Sequence, residues 1–315
     1  MRAGAGRYAP SPSGDLHIGN IRTGVLAYAR ARQQGQRFLW RVEDLDRVRP
    51  GAAESQRAVF ADLGIVPDDD PLVQSARLDV YVEAIARLDE AGLVYECYCS
   101  RKDIQQAPSA PHAPPGAYPG TCRDLSEQER TERRATLAAA GRRPALRLRS
   151  ENREVTVADA LLGTITAPVD DVVLRRGDGV FAYNLTVVVD DAASGITEVV
   201  RGDDLASSAP RQARLAELLD LPEQAWLHVP LVLNESGSRL AKRDGAVTYE
   251  QLRARGWTVA DVYGWIWESL GGPDPTSATG GSARWRSIED VIAGLDVARL
   301  GSVPTVFVPP ADDAA

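Results

Sequence analysis

The chain has 315 residues, 44% of them hydrophobic and 25% charged, with a net charge of −8 and a pI near 5.1. That length suits one large domain or two smaller ones, and the acidic balance argues against a general nucleic-acid coat while leaving room for a local basic patch. No apolar run approaches the roughly 20 residues of a membrane helix, MRAGAGRYAPS lacks the apolar stretch of a secretory signal, and three cysteines are too few for a disulfide framework; a cytoplasmic protein without membrane contact is expected.

Residues 7–9 read as a short strand running into SPSGDLHIGN, Ser11 to Asn20. IRTGVLAYARARQQG follows, with Ile21, Val25, Leu26 and Ala29 at helical spacing. FLWRV, residues 38–42, is a short buried strand, and residues 52–63 and 76–91 are helices, the second closed by Gly92. This alternation predicts a parallel sheet with right-handed crossovers. After about residue 95 the pattern changes. QQAPSAPHAPPGAYPGTC is too rich in Pro, Ala and Gly for regular structure. A charged helix over about 126–140 comes next, then PALRLRS and VTVADALLGTITAPVDDVVLRR as strands of an inserted subdomain. FAYNLTVVVDD and ITEVVRGDDL read as dense β-branched strands, and residues 209–219 as a helix. Beyond about residue 235, small helices gather around Trp257, Trp265, Trp267 and Trp285 as core, and the tail PPADDAA is expected to fray. The chain holds no internal repeat.

Two segments suggest chemistry. In SPSGDLHIGN, glycines precede a helix N-terminus, whose N–H groups and positive dipole end bind anions; His17 and Asn20 would add donors. The plain alternative is a Gly/Pro turn with Asn20 as cap. In SGSRLAKRDGAV, Lys242 lies between two arginines in a Gly-flanked loop. A lone basic loop is ordinarily solvated surface. Paired with the first segment, it reads as a mobile cation that closes on a nucleotide's phosphates.

APSPSGDLHIGN resembles the HIGH motif, and RLAKR the KMSKS loop, of class I aminoacyl-tRNA synthetases. RYAPSPSGDLHIGN, RVEDLDRVRP, FAYNLTVVVDD and VVRGDDL are similar to the glutamyl-tRNA synthetase branch, from about residue 7 to 245. A chain that stops near 315, and a Cys-x-Cys followed by Tyr-x-x-x-Cys, resemble the glutamyl-Q tRNA(Asp) synthetase family. The resemblance implies an α/β Rossmann-type catalytic core with a zinc-bearing insertion, a small helical C-terminal part and no anticodon-binding domain. The expected division is 1–94 and 181–235 for the two core halves, 95–180 for the insertion, and 236–315 for the KMSKS-like loop and C-terminal helices.

The resemblance also implies a reaction. The enzyme would join L-glutamate to ATP, with Mg²⁺, as glutamyl-adenylate, then pass glutamate to queuosine at the wobble position of tRNA(Asp), acting as a monomer. Arg7, Ser11, Glu43, Tyr183 and Arg201 fall in the matching motifs as glutamate contacts. Two arginines and a tyrosine hydroxyl suit two carboxylates, and Glu43 suits the ammonium. His17, Gly19, Asn20 and Lys242 would bind ATP, with His17, Asn20 and Lys242 supplying catalytic charge. Asn20 replaces the second His of HIGH and Ala241 the Ser of KMSKS. The rival readings are a truncated glutamyl-tRNA synthetase that charges a tRNA 3′ end, and a non-catalytic paralogue that binds nucleotide or RNA.

The cysteines allow two readings. Cys97 and Cys99 face one side if both lie on a strand. Three small buried hydrophobes are one possibility; a structural Zn²⁺ that orders the Pro-rich loop is the other. The family implies Cys97, Cys99, Tyr118 and Cys122 as ligands, with His112 as the rival fourth. The arginines of 130–149 and Arg175-Arg176 are candidates for tRNA phosphate contact, but on the helix a solvated charged face is the simpler reading.

Overall fold

The computed structural model describes residues 4–106, 118–240, 247–272 and 284–309. The chain opens with β1 (Ala5–Tyr8), α1 (Ile18–Gln33), β2 (Arg37–Val42), α2 (Ala52–Asp62), β3 (Leu72–Val73) and α3 (Leu78–Glu90). β4 (Val94–Cys97), α4 (Arg101–Gln106), α5 (Glu127–Ala139), β5 (Ala145–Leu148), β6 (Glu154–Asp159), β7 (Gly163–Pro168) and β8 (Val173–Arg175) follow. Then come α6 (Tyr183–Ala193), β9 (Glu198–Gly202), α7 (Ala209–Leu218), β10 (Ala225–Val229) and β11 (Val232–Leu233). The C-terminal part holds α8 (Tyr249–Ala254), α9 (Val259–Ser269), α10 (Ile288–Gly294) and β12 (Thr305–Val306).

β1, β2 and β3 pair in parallel, and so do β9 and β10, with β6 joining β10 on its other side. Ala5 bridges Ile196 in parallel, which lays β1 alongside the entry to β9. The parallel strands therefore run β3-β2-β1-β9-β10-β6. Strand order reverses between β1 and β9, and ligands of such sheets bind beyond the carboxyl ends of the strands at that reversal. Arg7 and Arg201 sit on these two strands.

The segment expected as one insertion over 95–180 contributes to two sheets. β4, β5 and β8 form a small antiparallel sheet near the cysteines, whereas β6 and β7 form a hairpin on the edge of the parallel sheet. FAYNLTVVVDD differs from its expected strand: it is helix α6, with Leu185, Thr186, Val187, Val188, Asp190 and Asp191 buried. β propensity is a weak preference, and a helix enclosed on most of its circumference shows no amphipathic stripe to oppose it. Asp190 accepts hydrogen bonds from Gln74 Nε2 (2.9 Å), Arg77 Nε (2.9 Å) and Tyr81 Oη (2.7 Å), which fixes one side of α6 against the start of α3.

The largest core cluster joins α1, β2 and α2 to α8–α10, with Trp267 and Trp285 buried in it and Trp257 and Trp265 packed against it. Phe307 meets Trp257 and Trp265 edge-on. The tryptophans are thus core. α5 is exposed along nearly its whole length, and Arg134 pairs with Glu96 (2.6 Å) and Glu127 (3.0 Å), as a solvated charged face does. The tail from residue 310 lies outside the described residues.

Candidate active site

Arg7, on β1, is buried; its Nε donates to Asp191 Oδ1 at 3.2 Å and its Nη1 to the Val200 carbonyl at 3.2 Å. Arg41, near the end of β2, donates to the same Asp191 oxygen and, through Nη2, to Glu43 Oε1 at 3.2 Å. One carboxylate of α6 therefore holds two guanidiniums. Burial works against the charge of Asp191, but Arg41 and Arg7 outweigh it and hold the carboxyl below the usual carboxylate range. Glu43 goes the other way: burial raises it, against the pull of Arg41 and Arg7. A carboxylate in that state gains from an incoming cation.

Arg201, on β9, is 5% exposed. Its Nε donates to His228 Nε2 at 3.0 Å, Nη1 to Gln212 Oε1 at 2.7 Å, and Nη2 to the Leu205 carbonyl at 3.1 Å; a longer 3.5 Å contact reaches Tyr183 Oη. None of these acceptors is a carboxylate. Burial lowers the pKa of Arg201 from its ordinary value. Tyr183, the first residue of α6, leaves part of its ring exposed while its hydroxyl is the 3.5 Å contact of Arg201. Burial keeps that hydroxyl protonated, with Glu43 adding to the effect and Arg201, Arg7 and Arg41 opposing it. Arg7, Glu43, Tyr183 and Arg201 thus meet at one place. Ser11 is on the exposed rim of the neighbouring loop and gives its carbonyl to Gln56 Nε2 at 3.1 Å.

That loop is tied from several sides. Gln56 also donates to the Gly14 carbonyl at 2.7 Å, Glu43 N to the Pro10 carbonyl at 3.2 Å and Arg49 N to the Pro12 carbonyl at 2.8 Å. Gly14 has φ +141°, a region that favours glycine. The cap of α1 is His17, not Asn20. His17 Nδ1 accepts from Asn20 N at 3.3 Å, and Asn20 Oδ1 accepts from His17 N at 3.4 Å. An accepting Nδ1 leaves the proton of a neutral imidazole on Nε2. A Cβ on Gly19 would lie 3.1 Å from Val232 Cβ and 3.2 Å from the His17 ring, so the backbone here approaches its neighbours closely.

Lys242 and Ala241 lie outside the described residues. The flanking chain is anchored beside His17: Leu240 is buried in the main core, Thr248 forms a β-bridge with His17, and Tyr249 N donates to the Leu16 carbonyl at 3.1 Å.

A second constellation lies on the small antiparallel sheet. The sulfurs of Cys97, Cys99 and Cys122 all lie within 4.8 Å of one another. β4 ends at Cys97, so Cys99 reaches the cluster from the turn beyond the strand rather than from the strand itself. Tyr118 Oη is 3.4 Å from Cys97 Sγ and 3.9 Å from Cys99 Sγ, and it accepts from Cys122 N at 2.8 Å. Tyr98 N donates to Cys122 Sγ at 3.5 Å. Thiolates about 2.3 Å from a tetrahedral zinc lie about 3.8 Å apart, so these three sulfurs fit such an ion. Hydrogen bonds from Cys122 and Cys99, with Arg147 nearby, hold the Cys97 thiol below its ordinary value. Burial pushes the Tyr118 phenol up. The Arg147 guanidinium, 3.7 Å above the Tyr118 ring, and the Asp170 carboxylate, 3.0 Å from Tyr118 N, fix that side chain. His112 lies outside the described residues.

Arg41, Asp191, His228 and Asp159 belong to the pocket or its support and were not singled out from sequence. An arginine inside the buried strand FLWRV was the available signal for Arg41. Asp191 and His228 act across 184 and 27 residues of chain, which no local pattern reveals.

A parallel sheet with arginines gathered at its reversal and a glycine-bordered helix start beside them fits an α/β catalytic domain for anionic ligands, and the family match makes its class that of the class I tRNA synthetases. The family described as "tRNA synthetases class I (E and Q), catalytic domain" matches residues 5–262. A glutamyl-Q tRNA(Asp) synthetase of Nocardia farcinica is 56% identical over 96% of this chain and 93% of its own length. Another, of Symbiobacterium thermophilum, is 41% identical over 95% and 94%. A crystal structure of a glutamate tRNA ligase from Elizabethkingia meningosepticum superposes with a TM-score of 0.78 at 22% identity, over 98% of this chain and 67% of that one. The chain belongs to the glutamyl-Q tRNA(Asp) synthetase family of class I tRNA synthetases. No helix among the described residues is long and apolar enough to cross a membrane.

Proposed function

We propose that the protein activates L-glutamate with ATP as glutamyl-adenylate and transfers the glutamyl group to queuosine at the wobble position of tRNA(Asp). The observation that carries the first half is the charge of the pocket. Arg7 and Arg41 share the carboxylates Asp191 and Glu43, whereas Arg201 has no carboxylate in direct contact, Asp159 reaching it only through His228. Glutamate, with two carboxylates and one ammonium, carries a net charge of −1. Glutamine is neutral overall and would leave a guanidinium buried and unpaired. Relatives named glutamyl-Q tRNA(Asp) synthetases support queuosine as the acceptor.

In this reading Glu43 holds the ammonium, and Arg7, Arg201 and the Tyr183 hydroxyl hold carboxylate, with Ser11 at the rim. The α-carboxylate attacks the α-phosphorus of ATP and pyrophosphate leaves. Alignment and charge neutralisation carry the step. The start of α1 at Gly19, the Nε2–H of His17, the Asn20 amide and Lys242 would share the phosphate charge, with Mg²⁺ entering on ATP. Zn²⁺ held by Cys97, Cys99, Cys122 and Tyr118 would serve as a structural ion that ties the end of β4 to the chain beyond Tyr118.

The test is ATP–pyrophosphate exchange with glutamate or glutamine, with and without tRNA. Exchange with glutamate alone, followed by transfer of labelled glutamate to queuosine-containing tRNA(Asp), is expected. Exchange that requires tRNA would point to 3′-end charging instead. No exchange in either condition would leave a binding protein.

A further inference from the structure

Arg201 is held by a chain of side chains that crosses the sheet. Arg201 and His228 are register partners on β9 and β10, and Asp159 and Trp226 are partners on β6 and β10. His228 lies two residues beyond Trp226 on the same strand, so its ring faces the same side. Arg201 Nε donates to His228 Nε2 at 3.0 Å, and His228 Nδ1 is 2.7 Å from Asp159 Oδ2. Asp159 Oδ2 also accepts His228 N at 3.0 Å, while Oδ1 accepts the Leu161 and Leu162 amides at 2.9 and 2.7 Å. His228 is fully buried, and Trp226 stacks on it with 5.9 Å between ring centroids.

A guanidinium only donates. His228 Nε2 must therefore accept, and the ring proton must sit on Nδ1, facing Asp159. A direct carboxylate in place of His228 would offset the Arg201 charge, whereas the single Asp191 carboxylate offsets only part of the combined charge of Arg7 and Arg41. The interposed imidazole orients the guanidinium and leaves its charge uncompensated.

We infer that His228, fixed by Asp159 as the Nδ1–H tautomer, is a positioning residue that aims Arg201 and keeps its positive charge available for a substrate carboxylate. The substrate half of this inference rests on the proposed activation of glutamate; the tautomer half does not.

Two measurements test it. The chain has only three histidines, so the imidazole ¹⁵N spectrum is readily assigned by substitution. In the wild-type protein His228 should be neutral with the proton on Nδ1. A proton on Nε2, or an imidazolium, would overturn the inference whatever reaction the enzyme performs. The second measurement compares His228→Asn and His228→Gln in glutamate-dependent ATP–pyrophosphate exchange, with thermal melting alongside. Asn can keep the bond to Asp159 but loses the acceptor for Arg201; Gln can place its amide oxygen where Nε2 was. A lost hydrogen bond to a charged group corresponds to about tenfold or more. His228→Asn should therefore raise KM for glutamate at least about tenfold with KM for ATP little changed, and His228→Gln should recover most of that loss. Equal losses in both variants, or KM for glutamate and ATP rising together, would reduce His228 to a packing residue. If the wild type shows no exchange with glutamate, the proposed reaction fails, and the tautomer alone decides whether His228 holds Arg201.

Discussion

Asp191 serves two buried guanidiniums at once, and the consequence of losing its charge is calculable. Removing one partner of a buried ion pair costs about 3–5 kcal/mol because the other charge is left uncompensated. Asp191→Asn should unfold in denaturant with a stability loss of that order, larger than the loss from any exposed arginine pair such as Arg153–Glu217. The sign of the pH effect follows from the direction of the shift. Asp191 is held below its unfolded value of about 3.9, so its contribution is complete above that pH and disappears as pH falls through the lower folded value. Wild-type stability should therefore drop below about pH 4 more steeply than that of Asp191→Asn; parallel acid profiles would contradict the assignment. Arg7→Ala removes a guanidinium that the carboxylates of glutamate need and should abolish glutamate-dependent exchange. Near-normal exchange would show that Arg201 and Tyr183 suffice.

The start of α1 and the helix α6 show how far local pattern carries. α2 and α3 were legible because each buries one stripe, α1 because Ile21, Val25, Leu26 and Ala29 recur at helical spacing, and all three end two residues before Gly35, Gly64 and Gly92 in left-handed conformation. α6 was not, because three consecutive valines suggest a strand and its buried aspartates find their partners on distant elements. His17 is an uncommon cap, so the Asn three residues on looked the better candidate; the two in fact cap reciprocally. This arrangement separates two roles for Asn20. A lost cap costs about 0.5–2 kcal/mol of stability, read in urea denaturation. If Asn20 also meets ATP phosphates, Asn20→Ala should cut exchange about a hundredfold, more than a cap of that size explains. A variant with unchanged exchange would make Asn20 a cap only. In the cysteine cluster, Tyr118→Phe should alter the absorption spectrum of the cobalt-substituted protein. An unchanged spectrum would favour His112.

Across the molecule, the hydrophobic cores are unequal. One large cluster joins the first half of the parallel sheet to the C-terminal helices, while Tyr95, Cys97, Tyr98, Tyr118, Cys122 and Leu137 form a small cluster of their own. So small a core has little area to bury, and a bound metal would supply what packing does not. Metal removal by a chelator should raise hydrogen exchange at Val94–Cys97 and around Tyr118–Cys122 while β1 and β9 keep their protection. Exchange rising equally throughout the parallel sheet would show that the two regions unfold together. The likeness of motifs located Arg7, Glu43, Tyr183 and Arg201 in sequence because each sits in a short recognisable string. Arg41 and Asp191 lie in two of the same strings, but their pairing, like that of Asp159 with His228, exists only once elements far apart in sequence are neighbours.

α6 also works as a ruler. Tyr183 at its start reaches Arg201, and Asp191, eight residues later, grips Arg7 and Arg41. At 1.5 Å per residue the helix sets these two points about 12 Å apart along its axis, and its rotation sets Asp190 and Asp191 about 100° apart, one toward Gln74, Arg77 and Tyr81 and the other toward the pocket. Inserting or deleting one residue anywhere between 183 and 190 would swing both aspartates off their partners at once and change the span. Length is what this helix cannot vary, and the turn that closes it shares the constraint, because the Gly195 carbonyl accepts from Ala5 N at 2.9 Å and so locks the end of α6 to β1.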